Sequence, residues 1–404
     1  MTAIIIQGAQ VLLPSGAEQV SVRVEKGRIT GLDVARDGAA VLDARGLILA
    51  PAIVDIHGDA FERQLMPRPG VHFPLHAALL ETDRQLAANG IATAYHALTL
   101  SWEPGLRSVD QGRAVMQGLA DLAPRLTVEN RLQLRWETFC TEALPLIAQA
   151  LAAPLTPSIA FNDHTSMAAL PGDVPMQDRP FEHDPDFPVT DMTSDGFATA
   201  MTDRSKRSGL SQTDFVALFR TVWNRRPQVP QTIAQVAAMG RAAGAAMLSH
   251  DDSQPYTRQY FRALGAGISE FPMTLAAAEA ARAGGDWIVF GAPNAARGGS
   301  HLGSPGAGDM LARGLCDILA SDYFYPAMLT AIARLLADGH GDLARLWKLV
   351  SSNPARASGL TDRGEIATGQ RADLTLIDWP TGQMPTVRHT FVAGRTAYLA
   401  HPAG

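Results

Sequence analysis

Short apolar runs recur along the whole chain, and what separates them changes twice. Over the first fifty residues the runs AIIIQGAQVLL, SVRVEKGRI and AVLDARGLILA are rich in β-branched residues and broken by Gly-containing turns. That pattern predicts strands joined by tight connections. The last forty residues read alike, with ADLTLID, VRHTFVAG and RTAYLA. Two β-rich ends around a long middle predict that residues 1–50 and 360–404 pair into one small β-sandwich domain, which leaves 51–359 to a second domain.

In that middle, strand-like runs alternate with Ala/Leu-rich stretches of helical period. Strands are predicted over 53–57, 91–98, 132–137, 158–163, 245–250, 267–271, 287–291 and 316–321. Helices are predicted over 76–89, 107–122, 143–151, 231–243, 273–283 and 307–314. Strands alternating with helices in this number predict an α/β fold, a TIM-like (β/α)8 barrel, whose usual size is ~250 residues. A doubly wound open sheet is the other arrangement of such units, but no Gly-rich dinucleotide fingerprint follows the first strand. Residues 166–212 break the rhythm. Their PGDVPMQDRPFEHDPDFPVTDMTSDG is dense in Pro and Asp and too long for an ordinary connection. It reads as a lid-like insertion at the barrel mouth, with a mobile surface excursion as the bland alternative.

Composition narrows the classes. Of 404 residues, 46% are hydrophobic, enough for a large core. The net charge of -6 argues against a nucleic-acid or anionic-membrane partner. It leaves room for a small anionic substrate met by a local Arg cluster. Cys140 and Cys316 have no pair spacing, which excludes a disulfide framework and a thiolate metal site. The N-terminal MTAIIIQGAQVLLPSG lacks a basic leader region, and no run approaches the ~20 apolar residues that span a bilayer. A soluble, cytoplasmic protein is expected, with a homodimer as the default assembly.

Chemistry enters at the predicted strand ends, where barrels of this kind carry their reactive groups. Strand one ends in His57-Gly58-Asp59, whose alternate residues share a face of extended chain. Strand three ends in Glu137, strand four in Asp163 and His164, strand five in His250, Asp251 and Asp252, and strand eight in Asp322. Singly, each has an ordinary reading as a satisfied structural histidine or a helix cap. Jointly they converge on one mouth, and buried carboxylates and imidazoles are costly unless paired or bound to a cation. Imidazole and oxygen donors without thiolate suit Zn²⁺, Mn²⁺ or Fe²⁺. Asp55, deeper in strand one, reads as structural. His96 is a more distant candidate, facing the same mouth. One of Asp251 and Asp252 is expected to orient a ligand or water and the other to cap the next helix, the assignment being open.

The blocks DIHGDAFERQLMPRPGV (55–71), LRWE (134–137), DHT (163–165), SHDD (249–252), EFP (270–272), GAPNAARGGSH (291–301) and SDY (321–323) span nearly the whole chain. Together they resemble the amidohydrolase superfamily. Within it they are most similar to the PhnM family of alpha-D-ribose 1-methylphosphonate 5-triphosphate diphosphatases. Gly58, Ala60 and Phe61 stand where that family's first block carries Thr, Asn and Leu, so the substrate rim differs. The resemblance implies two divalent metal ions, zinc first among them, held by His57, Asp59, Glu137, His164, His250 and Asp322, with Glu137 able to bridge. It implies hydrolysis of a phosphoanhydride with release of pyrophosphate, in phosphonate metabolism. Asp322 is then the expected general base and His301 the expected donor to the leaving pyrophosphate. Arg63, Arg68, Arg297, Asn294, Glu270 and Asp252 are the expected substrate contacts, since an Arg fork suits phosphate oxygens. The alternative is an amidohydrolase acting on C–N bonds (a deaminase, cyclic amidase or deacetylase) of another anionic small molecule.

Overall fold

The computed structural model describes residues 3–68, 70–299 and 303–401. Its centre is an eight-stranded parallel sheet whose strands follow one another in chain order: Ile53–Gly58, Ile91–Leu100, Glu129–Glu137, Ser158–Asn162, Met247–His250, Ile268–Glu270, Trp287–Gly291 and Ile318–Ala320. The last strand meets the first through a parallel bridge between Gly58 and Asp322. There the amide of Asp322 donates to the carbonyl of His57 and the amide of Asp59 to that of Asp322, each at 2.9 Å. Asp55 reinforces the closure by accepting from the amide (3.0 Å) and the hydroxyl of Ser321. The deep carboxylate of strand one thus joins the two edges of the barrel.

These segments form strands because both faces are covered, so the runs are apolar almost throughout. Ile53–Gly58 and Ile91–Leu100 are buried at every position. Val54, Ile56, Ala160, Leu248, Ile268, Val289 and Ile318 belong to one cluster drawn from across the barrel. Two larger clusters pack the surrounding helices against it; one contains Leu79, Val115, Ile147, Ile233 and Phe261, the other Leu86, Ala278, Met310, Ile332 and Trp347.

The chain ends build two further sheets. Ile4–Gln7, Val22–Glu25, Arg28–Leu32 and Ala40–Asp43 form one, with Ile4–Gln7 between Val22–Glu25 and Ala40–Asp43. In the other, Leu374–Asp378 pairs antiparallel with Ile48–Pro51, so the last strands of the chain continue a sheet begun by its first. Ile6, Val11, Val22, Val24, Leu49, Leu374 and Phe391 share the core of this region.

The insertion contains helices of its own. After Leu170 it runs irregularly, then forms helices over Asp195–Ala200 and Thr202–Ser208, followed by Gln212–Trp223. Ser194 and Ser211 cap the first and third of these through their hydroxyls, and Gly209 ends the second with φ 72°. Phe197, Met201, Phe215 and Phe219 pack together with Trp102 beside them. Among the described residues, no helix is long and apolar enough to cross a membrane.

Candidate metal centre

The ends of strands one, three, four, five, six and eight bring their polar side chains to one end of the barrel. Among the described residues, three groups stand close enough to share an ion: His57, Asp59 and Asp322; His164, His250 and Asp251; and His57, His250 and Glu270. Backbone strain also occurs at this place. Asp251, Phe271 and Asp322, each one or two residues past a barrel strand, have φ of 59°, 55° and 55°. Such conformations cost of order 1–3 kcal/mol each and persist where the surroundings impose them.

Hydrogen bonds fix the ring orientations. Glu270, wholly buried, accepts from Nδ1 of His250 at 2.9 Å and from Nε2 of Gln133 at 2.8 Å. Burial would raise its pKa, but the neighbouring His57 and His250 outweigh this and hold it below the usual carboxylate range. With its Nδ1 proton directed at Glu270, His250 presents the Nε2 lone pair to the mouth. There it accepts from Nη2 of Arg135 at 3.0 Å. Burial also lowers the pKa of His250, which favours this neutral form. Nη1 of Arg135 pairs with Asp59 at 3.3 Å. Glu137 accepts from Nδ1 and from the backbone amide of His164, the latter at 3.1 Å. Burial opposes its charge, but His164 prevails and its pKa falls to about 2. Asp322 goes the other way. Burial, assisted by Asp59, pushes it up to about 6 against the pull of His57.

His57 tests whether a cation fits. It is fully buried, stacked 5.5 Å from His250, and neither ring nitrogen has a hydrogen-bond partner. Glu270 lies 3.1 Å from its Nδ1 without the alignment of a hydrogen bond. A buried imidazole with an unpartnered nitrogen beside Asp59 and Asp322 is a costly arrangement that a divalent ion would satisfy. The donor set is imidazole and carboxylate, in keeping with zinc and its neighbours in the first row.

A cavity of about 250 Å³ opens over these groups, lined by Asp59, Arg107, Arg135, His250, Asp251, Asn294 and Asp322 and walled by Phe271, Pro272, Met273 and Phe290. Five of the six expected ligands fall within the three groups. Glu137 does not; its carboxylate is engaged by His164, as a buried charge beside an imidazole must be. The expected substrate contacts scatter. Asn294 lines the cavity. Arg63, Arg68 and Arg297 are exposed and outside its lining; Arg63 and Arg297 lie on the short helices Glu62–Leu65 and Ala292–Arg297, and Arg68 follows the first of them. Arg63 instead lies over the Phe324 ring, 5.9 Å from its centroid. Asp252 is buried against Arg258 (3.5 Å) and Ser249, and Glu270 sits beneath the histidines, so neither faces the cavity. Asp251 is the member of its pair that joins a ligand group. His96 is buried in the second strand, bonded to Asn130 at 2.7 Å. His301 lies outside the described residues.

The cavity's own cations are Arg107 and Arg135, neither of them singled out from the sequence. Arg135 was legible in principle, two residues before Glu137 on the same strand and therefore on the same face. Arg107 had no such signal. It is placed by a two-pronged pairing with Glu62, at 3.0 and 2.8 Å.

Comparison with known proteins agrees with this architecture. A family described as "Amidohydrolase family" matches residues 70–398. The alpha-D-ribose 1-methylphosphonate 5-triphosphate diphosphatase of Escherichia coli (strain K12) is 30% identical over 379 residues, covering 92% of this chain and 94% of that protein. Among solved structures, a putative prolidase from Bifidobacterium longum superposes with a TM-score of 0.62 at 13% identity, over 100% of this chain and 96% of the other. A beta-aspartyl dipeptidase from Fervidobacterium islandicum AW-1 gives 0.61 at 15% identity, over 99% and 97%. An adenosine deaminase from Xanthomonas campestris with bound zinc gives 0.60 at 13% identity, over 98% and 93%. Matched by the family over most of its length and aligned nearly end to end with the Escherichia coli enzyme, the chain belongs to the amidohydrolase family.

Proposed function

We propose that this protein hydrolyses a phosphoanhydride of a 5-triphosphorylated ribose phosphonate, or a close relative, and releases pyrophosphate. The observation that carries the reading is the near end-to-end likeness to a diphosphatase of that substrate class. The cavity supports it in kind, because Arg107 and Arg135 face two candidate ion positions across a small polar space. His57, Asp59 and Asp322 would hold one divalent ion, and His164, His250 and Asp251 the other. When bound, such ions polarise a phosphoryl oxygen and lower the pKa of water.

The residues of the chain do the rest. Asp322 accepts the proton that water loses as its oxygen attacks phosphorus. The bond from phosphorus to the bridging oxygen breaks, and pyrophosphate leaves with that oxygen. Arg107 and Arg135 receive phosphate oxygens as two-pronged donors. The wall of Phe271, Met273 and Phe290 limits water around the reacting group. A substrate of this size overfills 250 Å³, so its remainder extends over the rim, toward the exposed Arg63 and Arg68.

A second reading, C–N hydrolysis of a smaller anionic compound, draws on one observation. Both cavity arginines already carry a carboxylate partner, Glu62 for Arg107 and Asp59 for Arg135, which reduces the positive charge left for a polyphosphate. Purified protein reconstituted with zinc or manganese separates the two. Pyrophosphate release from a 5-triphosphorylated ribose compound is the expected result. Turnover of lactams or N-acyl compounds without it transfers the assignment to the second reading. Asp322→Asn should lower kcat by about 10²–10⁴-fold with an unchanged circular dichroism spectrum; retained turnover would remove Asp322 from the mechanism.

A further inference from the structure

The insertion grips the main chain at two residues of a single ligand group. Arg179, in its irregular part, is wholly buried. Its Nη2 donates to the carbonyl of Asp251 at 2.6 Å and its Nε to Glu182 at 2.7 Å. Its own carbonyl accepts from the hydroxyl of Ser253 at 2.8 Å and from Nε2 of Gln254 at 3.1 Å. Residue 179 is therefore fastened by side chain and backbone alike to the turn that follows the fifth barrel strand. That turn holds Asp251 at φ 59° and brings its carboxylate to 3.3 Å from Nε2 of His250. The helix Thr202–Ser208 does the same at His164. Nη2 of Arg204 donates to the His164 carbonyl at 3.2 Å, while its Nη1 pairs with Glu103 at 3.2 Å, and Glu103 also holds Arg207 at 2.8 Å. Among the described residues, no hydrogen bond or ion pair joins residues 166–212 to His57, Asp59 or Asp322.

We infer that the insertion is a fixed clamp for one of the two ion positions. Arg179, together with Arg204, is a positioning residue that sets the His164–His250–Asp251 group and leaves the His57–Asp59–Asp322 group untouched. The inference rests on the two-ion reading above. It has a physical basis in the strained turn. A residue at positive φ relaxes toward the common regions unless its neighbours over-determine it, and the bond from Arg179 to the Asp251 carbonyl is such a constraint. Outer partners of this kind typically change metal affinity by about 10–100-fold when removed.

The test is a count of ions and an affinity for each, by elemental analysis and calorimetric titration with Mn²⁺, together with the paramagnetic resonance signal of a coupled manganese pair. Wild-type protein is expected to bind two ions. Arg179→Met should weaken the second by about tenfold or more, abolish the coupled-pair signal at limiting metal, and leave the first affinity unchanged, with Arg179→Lys falling between. Arg179→Met also strands the buried Glu182 and is at risk of misfolding, so Arg204→Met, at a half-buried position, is the parallel variant with the same expectation. Two ions bound with wild-type affinities in the folded variants overturns the clamp alone. Equal weakening of both sites overturns it too, by showing a general loss of order. A single ion in wild-type protein overturns the two-ion reading and the clamp with it.

Discussion

Gly58 separates the first two expected ligands, and at that position a side chain has nowhere to go. A Cβ there would lie 2.8 Å from both Asp55 Oδ2 and Ser321 Oγ, and 3.0 Å from the Tyr325 ring. Those two oxygens belong to the bond that closes the barrel, so the methyl group would press on the closure itself. Gly58→Ala is expected to destabilise by about 1–3 kcal/mol, read as a lower thermal midpoint; an unchanged midpoint would mean that Asp55 and Ser321 move aside freely. At this scale the sequence was legible where residue type is decisive. Five histidines and aspartates at strand ends stand out as an ensemble, and the fold brings them to one mouth in groups close enough to share an ion. The arginines were less so: position beyond strands one and seven points to Arg63, Arg68 and Arg297, whereas those lining the cavity are Arg107 and Arg135. Arg135 lay within the LRWE block, but a cation on the inward face of a strand goes against the usual expectation for buried positions.

Elements were easier to foresee than side chains, with one exception. The barrel strands are buried on both faces, and a short apolar run bounded by turns is what such a strand requires. The insertion was harder. Its Pro and Asp suggest a loop, whereas its helices depend on single capping serines and on four spaced residues, Phe197, Met201, Phe215 and Phe219, too sparse to show a period. One joint between the barrel and the terminal sheets is a tryptophan. Trp347, nearly fully buried, donates from its indole nitrogen to the carbonyl of Pro51 at 2.9 Å. Trp347→Ala is expected to cost about 3–5 kcal/mol, and Trp347→Phe less, since it removes mainly a hydrogen bond worth about 1 kcal/mol. Chemical denaturation of the two variants gives the order directly; equal losses would mean that the indole N–H, and not the buried ring, carries the contribution of Trp347.

Across the whole molecule, the C-terminal part of the chain is tied to the barrel by charge as well as by packing. Glu129, at the start of the third barrel strand, pairs with Arg131 at 2.6 Å, Arg363 at 2.9 Å and Arg371. Burial alone would raise its pKa, but the three guanidinium groups, Arg363 foremost, bring it down to about 2 from an ordinary 4.5. A carboxylate depressed in the folded state contributes stability that is present above about pH 4.5 and lost as pH falls toward 2. Glu129→Gln should therefore lose stability near neutral pH and show a shallower decline between those limits, measured as the thermal midpoint against pH; a parallel pair of curves would exclude the group. The pairing of Ile48–Pro51 with Leu374–Asp378 has a consequence in time. During synthesis the first of these strands leaves the ribosome with the entire barrel still to be made before its neighbour exists. At roughly 5–20 residues per second, its edge stays open for tens of seconds, and for that interval the nascent chain carries an unfinished sheet that only its own last residues can complete.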